Sequence, residues 1–427
     1  MLSRIRHLVG FLRFHSVHLR NRRAIERYQW SRLRTLIPYL SEHIALYRQL
    51  LAERGVNQNC ISRLEDLRLL PIIDKSLFAG RPVEEYTDQS RPLYGRWAKT
   101  SGSSGTPFTP LRRVHTRLPW YGDSLYYRFL FWDTPWRVDS SWARVVHIRI
   151  HPRQQKNHLV IAIDDFLNDT EAAVQQMIDF QPDILETHPS LLFELASYMQ
   201  KNPRKFPLKY IVSVSENLSP TVRAYVEEQL QCKVFNRYGL EEFGTVGNEC
   251  SKHDGFHINT ESFIVEIVDE KGALCTDGVF GRVLITDLFN TEMPFVRYDT
   301  GDRGQISRNV CACGLHAPRL WIDGRYSAYL VFDDRRFHHY QFTAAFSALM
   351  NSVAAYQVVK KGESDLVLRV IPGPLYTAAT GEEVVASVQE TVGPDINVTL
   401  ELVEQFSRVP QGKSQIVRDE STHAETP

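Results

Sequence analysis

The sequence predicts an α/β protein: a large N-terminal domain of helix-covered β-sheets, a small β-rich subdomain, and a small α+β C-terminal domain. Three observations predict it. Short apolar runs alternate with helical patterns between residues 145 and 230, the pattern changes to period two between 256 and 287, and a β-β-α-β-β-α-β order follows residue 325.

Residues 1–36 carry nine arginines and a single acid, Glu26, among scattered apolar residues. A basic amphipathic helix can lie on an anionic membrane or a partner. Its Leu, Val and Phe side is also a face to pack on the body, and a charge run alone rarely marks a membrane site, so packing is the expectation. Residues 37–90 read as helices and loops, closing on Leu70-Pro71-Ile72-Ile73-Asp74-Lys75. A glycine- and hydroxyl-rich segment fills 97–117. The aromatic stretch from 120 to 136 reads as a helix whose rings are core before they are the wall of an aromatic-acid pocket. Strands are expected at 145–150, 159–163 and 210–214, and helices at 171–180, 190–200 and 220–230. Between 256 and 287, Ile258, Phe263, Val265, Ile267, Val283 and Ile285 mark hairpin structure, with Lys271-Gly272 as turn. Past a boundary at 324–327, strands at 329–332 and 337–340 flank a charged turn, and Phe342, Phe346 and Leu349 fall at helical spacing. A strand pair at 356–360 and 366–371, a helix at 381–392 and a strand at 398–404 complete the second domain. The expected domains are 1–324 and 325–427.

Composition narrows the function classes. The 427 residues allow two or three domains, and Lys plus Arg equal Asp plus Glu at 50 each, so the balance points to neither nucleic acid nor membrane. No apolar run approaches the ~20 residues that cross a bilayer. Arg4, Arg6 and Arg13 interrupt every candidate signal-peptide core. Six cysteines are too few for a disulfide scaffold, and a Cys311-Ala312-Cys313 pair in a reducing compartment suggests metal, so a cytoplasmic location is expected.

Five segments carry chemistry. In Thr100-Ser101-Gly102-Ser103-Ser104-Gly105-Thr106-Pro107, two glycines let the backbone approach a polyanion and the hydroxyls can donate to phosphate oxygens; no Gly-Lys-Ser/Thr ending makes it a Walker loop. In Asn236-Arg237-Tyr238-Gly239-Leu240-Glu241-Glu242, an aromatic that can stack on a base, a glycine turn and a carboxylate suit a nucleotide with Mg²⁺. In Met293-Pro294-Phe295-Val296-Arg297-Tyr298-Asp299-Thr300-Gly301-Asp302, Asp302 in a glycine turn can accept hydrogen bonds from both ribose hydroxyls. Gly324-Arg325 marks the boundary, and Gly412-Lys413 lies close to the end. Each segment alone has an ordinary structural reading as linker, acidic turn or surface lysine; their order and spacing do not.

Together these segments resemble the adenylate-forming superfamily of acyl-CoA synthetases, adenylation domains and luciferases, and within it the phenylacetate–CoA ligase family with its capsule-cluster relatives. The resemblance runs from about Tyr47 nearly to the end and includes Tyr47-Arg48, Leu70-Pro71 and Asp74-Lys75. It implies that residues 100–107 are the phosphate loop and that Ser215-Glu216-Asn217-Leu218 is the adenine-side loop. It also implies that Tyr238 and Glu242 stack on adenine and bind Mg²⁺, that Asp302 binds ribose, that Arg325 is the hinge arginine, and that Lys413 is the catalytic lysine. Two departures stand out: Glu241 replaces the usual Thr or Ser, and Tyr326, Ser327 and Ala328 replace the acidic hinge residues.

The implied reaction joins a carboxylic acid to ATP, releasing pyrophosphate, with Lys413 carried by a small mobile C-terminal domain. Coenzyme A is then the expected acceptor. The alternatives are a carrier protein, an amine or a sugar as acceptor, adenylation of a coenzyme, or a zinc-stabilised relative that binds nucleotide without catalysis. Separately, Cys250, Cys311 and Cys313 with either His253 or His257 make a set of three thiols and one imidazole suited to a closed structural Zn²⁺ site in the 250–313 region. Cys250-x-x-His253 has zinc-knuckle spacing, whereas His257 opens a strand and is more rigidly placed; some members of the resembled family carry such a site.

Overall fold

The structure, a computed structural model, describes residues 21–57, 60–78, 80–97, 109–112, 143–149, 157–205, 207–216, 218–325, 329–333, 335–338, 342, 346, 352–373, 376–404 and 417–421. The chain divides into two compact units, Met1–Asp323 and Gly324–Pro427.

The first unit opens with α1 (Arg22–His43), capped by the Asn21 side chain, which accepts from the Ala24 amide. Ile25, Gln29, Leu33, Leu36, Ile37 and Leu40 recur every three or four residues and are all buried, so the basic helix packs its apolar stripe on the body. The Gln29 amide donates to the Thr260 and Phe263 carbonyls at 3.0 Å each, which fixes the helix's rotation. Next come α2 (Ala45–Glu53), α3 (Val83–Tyr86) and the short ladder of β1 (Arg96–Trp97) with β2 (Leu111–Arg112). Among the described residues no helix is long and apolar enough to cross a membrane.

One 11-stranded sheet then organises the unit. Its parallel half comprises β3 (Val145–Arg149), β4 (His158–Ala162), β5 (Ile184–Thr187), β6 (Tyr210–Val214) and β7 (Val234–Leu240). Helices α4 (Ile163–Asn168), α5 (Thr170–Phe180), α6 (Pro189–Lys201) and α7 (Pro220–Leu230) bury Phe166, Met177, Leu195 and Val226 against Val146, Leu185, Ile211 and Val234. The remaining strands are β8 (Gly244–Asn248), β9 (Phe256–Ile258), β10 (Phe263–Val268), β11 (Gly281–Asp287), β12 (Tyr298–Ser307) and β13 (Arg319–Arg325). The sheet order is β10-β11-β12-β13-β9-β8-β7-β6-β5-β3-β4, so the β-rich part continues the parallel part through β8 and β9. A second core under this half joins Leu33, Leu40 and Tyr47 of the N-terminal helices to Phe243, Phe263, Phe295 and Tyr298.

The second unit holds the hairpin β14 (Tyr329–Phe332) with β15 (Arg335–His338). Its main sheet runs β18-β17-β16-β19, from β16 (Val353–Lys360), β17 (Asp365–Pro372), β18 (Asn397–Leu402) and β19 (Val417–Asp419). Helix α8 (Ala378–Val392), with a Thr377–Thr380 capping box, packs Val384 and Val388 on Leu366 and Leu368. Strands β5, β7, β8, β12, β13 and β19 were not among those expected, the first and last because four and three residues are too short to show a period.

A turn after β11 steadies the chain on both sides of residues 98–108. The Glu292 carboxylate accepts from the Tyr94 and Gly95 amides at 3.0 and 2.7 Å. The buried Asn290 amide donates to the Leu111 carbonyl at 3.0 Å, and its oxygen accepts from Met293 at 3.2 Å. Asn290→Ala strips both groups of that partner and is expected to destabilise the first unit by roughly 1–3 kcal/mol per group in denaturant unfolding.

Candidate functional site

The two acidic motifs meet through an exchange of tyrosines. Asn236, Arg237, Tyr238 and Gly239 lie on β7, not in a turn; the turn comes later, at Glu241–Phe243. Gly239 serves a close approach, because a Cβ there would stand 2.6 Å from the Gly244 carbonyl oxygen, where the β7–β8 register shifts. Asp302 likewise lies on β12 and not in the expected turn. The glycine signal was nonetheless real: Gly301 takes φ +73° at the irregularity where β12 bulges opposite Val283. Across the site the Tyr238 hydroxyl donates to Asp302 Oδ2 at 2.5 Å, and the Tyr298 hydroxyl donates to Glu242 Oε1 at 2.9 Å. Each motif's carboxylate is thus held by the other motif's tyrosine.

The supports are apolar and aromatic. Tyr298 is buried, with Phe243 and Phe295 edge-on at 5.7 and 5.1 Å, and the Tyr238 ring lies 6.0 Å from Phe256. The Leu70–Asp74 stretch is drawn against the start of β12: Ile73 bridges Tyr298, and the buried Arg297 guanidinium donates to the Leu70 carbonyl at 2.9 Å and to Glu266 at 3.1 Å. The adjacent acids differ sharply, since Glu242 is buried whereas Glu241 is exposed. Tyr298 and Arg297 lay within segment 293–302 but were given no role in the sequence, and Glu266 was not marked. The available signal was the repeated Tyr-x-x-x-acid spacing of Tyr238–Glu242 and Tyr298–Asp302.

Several other expected site residues have structural partners of their own. Asn236 accepts through its backbone from Glu249 and donates its own amide to the Glu249 carboxylate at 2.8 Å. Arg237 donates to the buried Glu186 at 3.0 Å. Glu186 also faces His147 Nδ1 at 3.2 Å, and His147 Nε2 faces His158 Nδ1 at 2.8 Å. Because a carboxylate only accepts, Nδ1 of His147 carries a proton toward Glu186. Burial and the neighbouring His147 push the His158 imidazole down to about 4. Ser215, at φ +68°, and Glu216 form the turn after β6, where the Glu216 carboxylate takes the Ser190 amide at the start of α6. Burial pushes that carboxyl up, but His188 and Ser190 outweigh it and hold it below its usual range. Thr100, Ser101, Gly102, Ser103, Ser104, Gly105, Thr106, Asn217, Lys413 and the aromatic stretch 120–136 lie outside the described residues, as does the side chain of Arg325 at the end of β13.

The thiols converge as the cysteine arithmetic suggested, with one histidine decided. The ligand atoms of Cys250, His257, Cys311 and Cys313 all lie within 4.8 Å of one another. His253 is not in this cluster; its Nδ1 faces Arg223 at 2.8 Å and Glu249 at 3.1 Å. The His257 Nδ1 lies 3.3 Å from the Ala317 carbonyl, which can only accept, so Nε2 is the lone-pair nitrogen and it points at Cys313, 3.4 Å away. The Cys250–Cys311 sulfur separation is 3.9 Å. Tetrahedral zinc asks for about 3.8 Å between sulfurs and about 3.6 Å between sulfur and nitrogen, so the donor set fits. Without a cation, burial lowers the His257 pKa, but hydrogen bonds with Cys250 and Cys311 outweigh it and bring it to about 9.

No family model matches the chain. A phenylacetate–coenzyme A ligase of Thermus thermophilus is 26% identical across 93% of this chain and 97% of that protein. A phenylacetate–coenzyme A ligase of Pseudomonas putida is 26% identical across 65% of the chain and 66% of its own length. Among solved structures, 2-hydroxyisobutyryl-CoA ligase in the postadenylation state, in complex with 2-HIB-AMP, aligns over 95% of this chain and 91% of its own, with a TM-score of 0.76 at 21% identity. The resemblance to phenylacetate–CoA ligases therefore extends over nearly the whole chain, and the fold is that of acyl-CoA ligases.

The Arg237–Glu186 pair yields a test. Burial alone would raise the Glu186 carboxyl, but Arg237, with His147 behind it, holds it well below the usual carboxylate range. A depressed carboxyl contributes stability above its unfolded pKa of about 4.3 and loses it as pH falls. Arg237→Met leaves the Glu186 charge buried, and is expected to cost ~3–5 kcal/mol at pH 7. The penalty should shrink toward pH 4, where a carboxyl no longer held down takes up its proton; urea unfolding at the two pH values checks this.

Proposed function

We propose that this chain uses ATP to activate a carboxylic acid as its acyl-adenylate and then transfers the acyl group to coenzyme A. One observation supports it above the rest: the reciprocal Tyr238–Asp302 and Tyr298–Glu242 hydrogen bonds join the two acidic motifs into one site. The whole-length likeness to phenylacetate–coenzyme A ligases agrees with it.

In the first half-reaction a carboxylate oxygen attacks the α-phosphorus and pyrophosphate departs. Hydroxyls of Thr100, Ser101, Ser103, Ser104 and Thr106 hold the phosphates, with Gly102 and Gly105 admitting the backbone, and Asn217 and Ser215 flank the adenine. Tyr238 offers its ring to the base while its hydroxyl steadies Asp302, which accepts from the ribose hydroxyls. Glu242, a buried carboxylate held by a neutral hydroxyl, fits Mg²⁺, which when bound neutralises phosphate charge. Lys413, in the C-terminal domain 325–427, supplies the cation that meets charge developing at the α-phosphate, and Arg325 acts as the hinge between it and domain 1–324. In the second half-reaction the thiolate of coenzyme A attacks the acyl carbon and AMP leaves.

Acid-dependent ATP–pyrophosphate exchange, screened over aromatic, fatty and hydroxy acids, tests the first step, and CoA-dependent AMP release tests the second. Lys413→Ala is expected to slow adenylate formation roughly 10²–10³-fold; exchange at the parent's rate would sink the assignment.

The Cys250, His257, Cys311 and Cys313 set belongs to a closed structural Zn²⁺ site. Protein washed with a weak chelator is expected to retain about one zinc per chain. Cys311→Ser with Cys313→Ser should lose the metal and lower the melting temperature, whereas His253→Ala should keep it. Elemental analysis far below one zinc per chain in the parent decides against the metal.

A further inference from the structure

Glu242 is buried, and one of its oxygens is committed to a phenol whose ring cannot move. Tyr298 is 2% exposed, gripped by Phe243 and Phe295, and its strand is in register with Ile285 on one side and bridged by Ile73 on the other. We propose that Tyr298 is a positioning residue for a divalent cation at Glu242, acting through the hydroxyl that donates to Glu242 Oε1 at 2.9 Å. The inference rests on the nucleotide-activation reading above.

The physical case has three steps. The terminal torsion of a glutamate is broad, so a free carboxylate turns its plane through many orientations. A donor anchored in the aromatic core removes that freedom and fixes which oxygen faces a ligand. A phenol brings that donor on a neutral side chain, so the bond fixes the carboxylate without adding a charge of its own. The mirror bond, Tyr238 to Asp302, positions a carboxylate whose proposed ligands are neutral hydroxyls. The two hydroxyls therefore have separable signatures.

Tyr298→Phe removes one oxygen atom and keeps the ring. Partners behind a metal's ligands are typically worth 10–100-fold in metal affinity, so the variant's affinity for Mn²⁺ should fall at least about 10-fold. Electron paramagnetic resonance of Mn²⁺ titrated in the presence of a non-hydrolysable ATP analogue reads this without turnover. The Mg²⁺ concentration giving half-maximal exchange should rise by the same factor while KM for the acid stays put. Tyr238→Phe should instead raise KM for ATP at saturating Mg²⁺. Phe295→Leu loosens the packing around Tyr298 but keeps its hydroxyl, so it should lower the melting temperature while weakening Mn²⁺ far less than Tyr298→Phe does. Parent-like Mn²⁺ affinity in Tyr298→Phe overturns the inference, and so does an equal loss in Phe295→Leu. A parent protein that exchanges pyrophosphate with no acid overturns the activation reading instead.

Discussion

The first unit depends on two tyrosine hydroxyls that bridge strands the sheet order would keep apart. Between β7 and β12 stand β8, β9 and β13. At ~4.8 Å per strand a flat sheet would separate them by ~19 Å, beyond the combined reach of a tyrosine and an aspartate. Yet Tyr238 touches Asp302 and Tyr298 touches Glu242. The sheet must therefore curl strongly through β8, β9 and β13, with its concave side closing around Phe243, Phe256 and Tyr298. Curling costs ladder regularity, and the irregularities are where such a sheet needs them: at Tyr238/Gly239 on β7 and at Arg282/Leu284 on β11.

That curvature explains which features were legible in the sequence. Strands β3, β4 and β6 and helices α5, α6 and α7 of the parallel layer were read from local pattern because they are apolar runs and amphipathic segments of ordinary length, whereas β5 and β7 were missed. Strand β12 was missed too. Its burial alternates without fault from Tyr298 to Ser307, but the buried positions are Tyr298, Thr300, Asp302, Gly304 and Ile306. A period-two search for apolar residues fails there because the inward positions hold hydrogen-bonding and space-making residues. Local rules fail most often where a site has displaced the usual core residue. The glycine of β7 misled in the same way, since Gly239 looks like a turn and instead admits a neighbouring backbone.

The histidine choice shows the reverse case, where sequence narrowed a question that only tertiary structure resolves. Both His253 and His257 have acceptable spacing from Cys250. His257 is on β9, in register with Asn248 and Arg319, which carries it toward the Cys311–Cys313 turn between β12 and β13. His253, at φ +52°, turns its ring to Arg223 and Glu249. A zinc-knuckle spacing describes a local loop, whereas this cluster is assembled from one strand and two connections of the sheet.

The cluster and the tyrosine exchange lie at two places on the same curved strands. Ladder register puts Tyr238, Gly247 and Ile258 on one face, and Arg237, Asn248 and His257 on the other. The tyrosines thus close the inside of the curl at the Glu242 end of β8, and the thiols gather the outside at its Cys250 end. Between them Glu249, the residue before Cys250, accepts the Asn236 amide and a two-pronged grip from Arg223 of α7. A cation on the thiols would then constrain Asn236, two residues before Tyr238, without touching it. The curved region has few large apolar side chains in β8 and β12 to hold it by burial alone. Directional bonds from the two tyrosine hydroxyls do that work at the Glu242 end, and the two buried carboxylates are what those bonds reach.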